Sequence, residues 1–224
     1  MSKSIIAMVP VRAGSIRVLE KNTRTFADTN LLELKLNSLK RLKGIDGLVV
    51  STDCEKSAEI AQKFGAEVQW RDDFFAGSNV TNDQHWYHIA KTTPGEVVFM
   101  AQVTSPLVRV SSMQRALDQY LLRNEKISIN SVSAEKKFLW ENGVPVNYNI
   151  SQTPKSQDLP EIVSLNFAIT IISREEMMHR KNVIGEKPVF VELDKVESLD
   201  IDDYLDFEIA ETIFKNRGKK WLLS

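Results

Sequence analysis

SIIAMVPVRAGSIRVLEKN, residues 4–22, joins a short apolar run to a basic loop that contains a glycine. Ser4–Pro10 has the composition of a buried strand, and turn chemistry stops it at once. The connection that follows, Pro10–Asn22, is long for a link between a strand and a helix, and such links in compact domains are frequently functional. Asn30–Leu42 then carries Leu32, Leu36 and Leu39 at helical spacing, with Lys35, Lys40 and Arg41 among the polar positions. Strand, long loop and helix in that order predict an α/β chain whose first loop lies beyond the carboxyl end of a strand, where open sheets bind ligands.

The alternation continues outward from this unit. Gly47–Thr52 is a second β-branched run, and Glu55–Phe64 is an amphipathic helix with Gly65 where a C-terminal glycine belongs. Ala66–Trp70 reads as a strand, Asp83–Thr92 as a helix and Glu96–Gln102 as a buried strand. Ser111–Arg123 is predicted as a helix capped by Ser111 or Ser112, and Lys126–Val132 as a strand. Leu165–Ser173 and Val189–Leu193 are further strands, and Asp203–Lys215 is a closing helix. This pattern implies a Rossmann-like, mostly parallel open sheet flanked by helices. Between Ser133 and Glu161 the rhythm breaks into turn residues, with Asn142-Gly143, Val144-Pro145 and three prolines. That stretch reads as an arm inserted in a single domain spanning residues 1–224.

Composition narrows the function. With 224 residues, 42% of them hydrophobic and 26% charged, the chain can bury a substantial core. A net charge of −1 argues against a general nucleic-acid binder. The apolar run in MSKSIIAMVPVRAG is too short for a signal peptide or a membrane span. The lone Cys54 excludes an internal disulfide and suits a reducing compartment, so a cytoplasmic protein is expected.

The charges are unevenly spread. Arg12, Arg17, Lys21 and Arg24 crowd the first loop, while Glu192, Asp194, Glu197, Asp200, Asp202, Asp203, Asp206, Glu208 and Glu211 crowd a stretch near the C-terminus. Arg12, Arg17 and Lys21 could neutralise the oxygens of a polyphosphate while backbone N–H groups approach at Gly14. The loop is neither a GxGxxG nor a GxxxxGK[ST] motif. In an extended segment residues two apart point the same way, so Asp200 and Asp202 can face one Mg²⁺ that phosphate oxygens complete. The same acids could instead cap the helix behind them, and both readings stand on the residues alone. His85 and His88 lie three apart on a helix with no third ligand evident, and read as a partly buried polar pair. The four tryptophans read as core or interface.

Five segments, in order, resemble the CMP-sugar-acid synthetases, the cytidylyltransferases that make CMP-sialic acid and CMP-Kdo. Arg12, Ser15, Arg17 and Lys21-Asn22 match their signature loop, and Val49-Val50-Ser51-Thr52-Asp53 their VVSTD motif. Gln102-Val103-Thr104-Ser105-Pro106-Leu107 resembles QPTSPL. Gln157-Asp158-Leu159-Pro160 with Asn166 and Ala168-Ile169 resembles QDLP…NGAIY, and Ser198-Leu199-Asp200-Ile201-Asp202 resembles SIDID. The resemblance covers nearly the whole chain.

It implies a nucleotidyltransferase that joins CTP to a sugar acid, with Mg²⁺ as cofactor, in a homodimer formed through the arm. Arg12, Lys21 and Arg17 would act on the triphosphate. Val11, Ala13, Gly14, Ser15, Asn22, Arg71 and Thr81 would complete the nucleotide site. Gln102, Lys155, Gln157 and Asn166 would face the sugar, and Asp200 and Asp202 would hold the metal. Ala13, Ile16, Val108 and Phe167 depart from the family pattern, and Ser156 stands near the position of a carboxylate-binding arginine. Lys155 beside it is not an equivalent fork. A sugar acid other than N-acetylneuraminic acid is therefore expected. A GT-A-like glycosyltransferase and a non-catalytic nucleotide- or sugar-binding relative are the alternatives.

Overall fold

The computed structural model describes residues 4–77, 79–123 and 127–224. Met1–Lys3, and Lys126 at the head of the strand expected there, lie outside the described residues. The first strand, β1 (Ile5–Val11), sends Ile5, Ala7, Val9 and Val11 into one core and Ile6 and Met8 into another, as a period of two dictates. Helix α1 (Leu31–Leu39) begins on Asn30, whose side chain accepts a hydrogen bond from the Glu33 N–H. β2 (Gly47–Thr52) leads to α2 (Glu55–Lys63). That helix ends as its sequence predicts: Gly65 takes a φ of 71°, and Gly65 and Ala66 donate back to Gln62 and Ala61. β3 (Glu67–Trp70), the short α3 (Asp73–Ala76) and α4 (Asn82–Thr92) follow, then β4 (Val97–Ala101), α5 (Val110–Leu121) and β5 (Ile127–Glu135).

The arm carries a small hairpin of β6 (Trp140–Glu141) and β7 (Val144–Pro145). Asn142 and Gly143 turn it with φ values of 49° and 79°, the pairing that a two-residue hairpin favours. The arm begins later than the composition suggests. Ser133–Glu135 still pair with Ile162–Ser164, so the two strands run on as a ribbon before the turn residues take over. After the arm come β8 (Ile162–Ser173), α6 (Arg174–Arg180), β9 (Lys187–Glu192) and α7 (Tyr204–Leu222).

The seven strands lie in the order β3-β2-β1-β4-β8-β5-β9. Every pairing is parallel except those of β8, which runs antiparallel to β4 and β5. Residues of α1, α2, α5 and α7 fill the larger core, and α4 and α6 cover the other face. Among the described residues no helix is long and apolar enough to cross a membrane.

Some helix boundaries differ from the sequence pattern, and two short helices have no counterpart in it. α5 starts at Val110 on Arg109, without a side-chain cap, because a Glu197 carboxylate oxygen accepts the Arg109 N–H at 2.9 Å; Ser112 is buried instead. α7 extends to Leu222, past a break at Gly218. The short α3 and α6 carry too few turns to show a period.

One irregularity lies where β8 passes the carboxyl end of β4. Asn130 pairs with Thr170, but Val132 pairs with Leu165, so β8 bulges opposite Ser131. Phe167 within the bulge has a φ of 53°, a left-handed conformation that is costly for a bulky side chain. Asn166 holds it in place. Its Oδ1 accepts from Ser131 Oγ and the Ala168 N–H, and its Nδ2 donates to Ser133 and Ser198 hydroxyls at 3.0 and 3.5 Å.

Candidate active site

Beyond the carboxyl ends of the central strands lies an open cavity of about 580 Å³. Arg12, Arg17 and Lys21 reach it from the first loop, Arg71 from the end of β3, His85 from α4 and Gln102 from the end of β4. Ser15 and Asn22 also line it. This is where an open parallel sheet leaves room for a ligand.

The first loop is tied down although most of it faces solvent. Val18 is fully buried beneath it. The Ala13 N–H donates to Asp53 Oδ1 at 2.6 Å, the Leu19 N–H to the Tyr204 hydroxyl, and Asn22 Nδ2 to the Arg12 carbonyl. Gly14 has a φ of 72° with open space around it, so its backbone conformation, and not crowding, calls for glycine. Ile16 is 85% exposed at the cavity wall, an apolar side chain among cations.

Charge meets charge across this cavity. Lys21 is buried to 8% exposure, and its ammonium donates to the Ile201 carbonyl at 2.5 Å. Burial lowers its pKa, Asp200 and Asp202 pull it back up, and Arg17 and Arg12 lower it further. Arg17 meets Asp202 at 2.6 Å, both side chains more than half exposed, a geometry worth about 1 kcal/mol or less. Arg12 has no ion pair among the described residues. Arg71, expected at the nucleotide site, is buried and donates to the Ser51 carbonyl at 2.9 Å. Burial lowers its pKa, Asp53 opposes this, and Arg12 adds to it.

Asp200 and Asp202 are exposed on either side of Ile201, which is fully buried, so both carboxylates lie on the open side of an extended segment. Capping of α7 falls to other residues. Asp203 accepts from the Leu205 and Asp206 N–H groups, and the Asp206 carboxylate accepts the N–H groups of Asp202 and Asp203. Among the described residues no three His, Cys, Asp or Glu side chains gather to enclose a metal. Asp200 and Asp202 do not themselves line the cavity; they stand behind its wall, against Lys21 and Arg17, which do. Two carboxylates so placed suit Mg²⁺, which takes one or two carboxylates and completes its shell with phosphate and water oxygens.

Other expected residues are placed differently. Val11 is buried in the core and offers only backbone. Thr81 caps α4 in a reciprocal pairing with Gln84, while its neighbours Val80 and Asn82 line the cavity. Lys155 and Gln157 are exposed on the arm, outside the cavity lining, and the Asn166 amide is committed to the β8 bulge. His88 is buried and stacked on Phe75 at 3.9 Å. His85 lines the cavity beside Trp86, and burial, then Arg71, His88 and Arg12, push its pKa down to about 4. The spacing of Asn82, His85 and Trp86 on one helical face was the available signal for this wall.

The periodicity of α1 places Lys35 among polar positions, but the structure buries it to 2% exposure under the site. It falls beside Leu31, Leu32, Leu36 and Leu39 on the apolar stripe, and its ammonium donates to the Ser105 carbonyl at 2.9 Å. Burial pushes its pKa down to about 7, against the pull of Asp200 and Glu197. Because this value lies below the ordinary 10.5, the unfolded chain binds a proton between those limits that the folded chain lacks. The destabilisation is therefore complete below pH 7 and relieved as pH rises from 7 toward 10.5. Its full size is at most roughly 5 kcal/mol. Denaturation midpoints of wild type and Lys35→Met between pH 6 and 10 should diverge most at low pH, with the variant more stable. Parallel curves would refute the assignment.

Residues 6–216 match the model of a family described as Cytidylyltransferase. The chain is 25% identical to the N-acylneuraminate cytidylyltransferase of Escherichia coli, over 98% of its own length and 54% of that protein's. It thus spans about half of that relative. It is also 25% identical to the CMP-N,N'-diacetyllegionaminic acid synthase of Legionella pneumophila, over 94% of its length and 96% of that protein's. Among solved structures it resembles a CMP:2-keto-3-deoxy-manno-octonic acid synthetase complexed with CTP, with a TM-score of 0.73 at 11% identity over 96% of this chain and 100% of that one. A 4-diphosphocytidyl-2C-methyl-D-erythritol synthase from Anaerococcus prevotii gives 0.71 at 14% identity, over 95% and 96%. At such identities the structures speak for the fold.

Proposed function

The chain belongs to the cytidylyltransferase family, and on that premise we propose that it activates a nonulosonic or ulosonic sugar acid with CTP, giving a CMP-sugar and pyrophosphate. One observation supports this above the others: Lys21, from the first loop, donates to the backbone between Asp200 and Asp202. The residue that would grip the triphosphate is thereby joined to the segment that would anchor the cation.

The anomeric hydroxyl oxygen of the sugar acid attacks the α-phosphorus of CTP. The new O–P bond forms as the bond from the α-phosphorus to the bridging oxygen breaks, pyrophosphate leaves with that electron pair, and the hydroxyl proton passes to solvent. No covalent enzyme intermediate is required, so positioning and charge neutralisation carry the catalysis. Arg12, which has no ion pair among the described residues, meets the triphosphate, while Lys21 stabilises charge on the departing pyrophosphate. Arg17 is held by Asp202 through an exposed pair that costs little to exchange for phosphate. Arg71 and Asn22 border the nucleotide, with Gln102 on the sugar side of the cavity. Asp200 and Asp202 would hold Mg²⁺, which neutralises phosphate charge and lowers the pKa of the attacking hydroxyl. We place a homodimer contact on the arm, where Phe138, Trp140, Val144 and Val146 are exposed, and we place the protein in the cytoplasm on the strength of its single cysteine.

The test is pyrophosphate release. CTP with N-acetylneuraminic acid, N,N'-diacetyllegionaminic acid and 2-keto-3-deoxy-manno-octonic acid should give release with at least one sugar, dependent on Mg²⁺. CTP binding without release from any sugar acid would favour a binding protein, and turnover only with a nucleotide-sugar and a glycan acceptor would favour a glycosyltransferase.

A further inference from the structure

The segment carrying Asp200 and Asp202 is held from several directions. The Ile201 N–H donates to the Thr104 carbonyl at 2.8 Å, Lys21 donates to the Ile201 carbonyl, and the Ser105 hydroxyl reaches Asp200 Oδ1 at 3.5 Å. The Thr104–Ser105 turn is therefore the platform on which the first carboxylate rests. Lys35 of α1 holds that platform from below, through the Ser105 carbonyl.

Packing alone does not call for lysine at this position. It sits on an apolar helical stripe at 2% exposure, where a methionine would fill a similar shape without burying an ammonium. Its one hydrogen-bond partner among the described residues is the Ser105 carbonyl. Of the nearby acids, Glu197 is already paired with Arg109 at 2.7 Å, whereas Asp200 has no ion pair among the described residues. A buried charge kept at a cost to stability, beneath an unpaired carboxylate, is the pattern of a group retained for the chemistry above it.

We propose that Lys35 is a positioning residue for nucleotidyl transfer: it fixes the Ser105 peptide and, through the Ser105 hydroxyl, the orientation of the Asp200 carboxylate. Resting as it does on the cytidylyltransferase reading of the site, this role adds a residue of the core beneath the site, outside the cavity lining.

Lys35→Met and Ser105→Ala test the role together. Steady-state pyrophosphate release should show kcat lowered about tenfold in Lys35→Met, with KM for the sugar acid within about twofold of wild type. Its melting temperature at neutral pH should be unchanged or higher, a combination that loss of scaffolding does not produce. Ser105→Ala, which leaves the lysine in place, should lower kcat in the same way. Wild-type kcat in Lys35→Met overturns the proposal. So does a fall in melting temperature together with kcat in Lys35→Met while Ser105→Ala keeps full kcat. Should the wild type release no pyrophosphate from any sugar acid, the functional reading fails separately, and calorimetry of CTP binding at varied Mg²⁺ then reads Lys35. The Met variant should need about fivefold more Mg²⁺ for the same affinity, and an equal requirement overturns the proposal.

Discussion

Asp202→Ala gives a folded protein whose turnover is lower by about a thousandfold or more. The fold is spared because the Asp202 side chain is 55% exposed and its ion pair with Arg17 is a surface one. The backbone N–H of Asp202 still donates to Asp206, and Asp203 still caps α7. Catalysis is not spared, because one of the two carboxylates available to the cation is gone and Arg17 loses the partner that holds it at the cavity. Asp203→Ala provides the contrast: it loses a helix cap, costing about 1 kcal/mol of stability, but leaves both Asp200 and Asp202 in place. kcat should fall in Asp202→Ala and hold in Asp203→Ala, whereas the melting temperature should hold in the first and fall in the second. An Asp202→Ala enzyme within tenfold of wild-type kcat would remove the acidic pair from the mechanism.

Lys21→Met should lower kcat/KM for CTP by about a thousandfold. The lysine joins the two halves of the site, and its charge lies where pyrophosphate departs. The Ile201 carbonyl loses its donor, but the cost of burying an ammonium vanishes too, so the melting temperature should change by only a few degrees. Lys21→Arg should recover little, because at 8% exposure the position has no room for a wider, planar guanidinium. Single-turnover rates would separate the chemical step from CTP binding. A Met variant that keeps more than a tenth of wild-type kcat/KM would show that the arginines alone carry the phosphate charge.

Much of this architecture is legible in the chain itself. The order of strands and helices through Gly65 follows from periodicity and turn chemistry, because those signals are local. The direction of β8 is not local. Its apolar run looks like any other buried strand, and only the arm, which returns the chain beside β5, makes it antiparallel. The loop and the Asp200–Asp202 pair were readable because their residue types are unusual for their surroundings. Lys35 was not, since a lysine on a helix is ordinarily solvated, and only three-dimensional packing turns its face inward. Asn166 is visible as a polar residue in a strand. That its amide is taken up by Ser131, Ser133 and Ser198 depends on residues more than thirty positions away.

The reversed strand also shapes how the chain must assemble. Among the described residues β8 is the only strand that touches both β4 and β5, so without it the sheet is two separate pieces. During synthesis β1 to β4 can pair as soon as they emerge, which leaves β4, buried along its whole length in the finished protein, as a bare apolar edge. That edge waits through the whole of α5, β5 and the arm before its partner arrives. At a ribosomal pace of about 5–20 residues per second, the delay lasts several seconds. For that interval the nascent chain presents a sticky template to its neighbours, and the insertion of one central strand ends the hazard and joins the sheet.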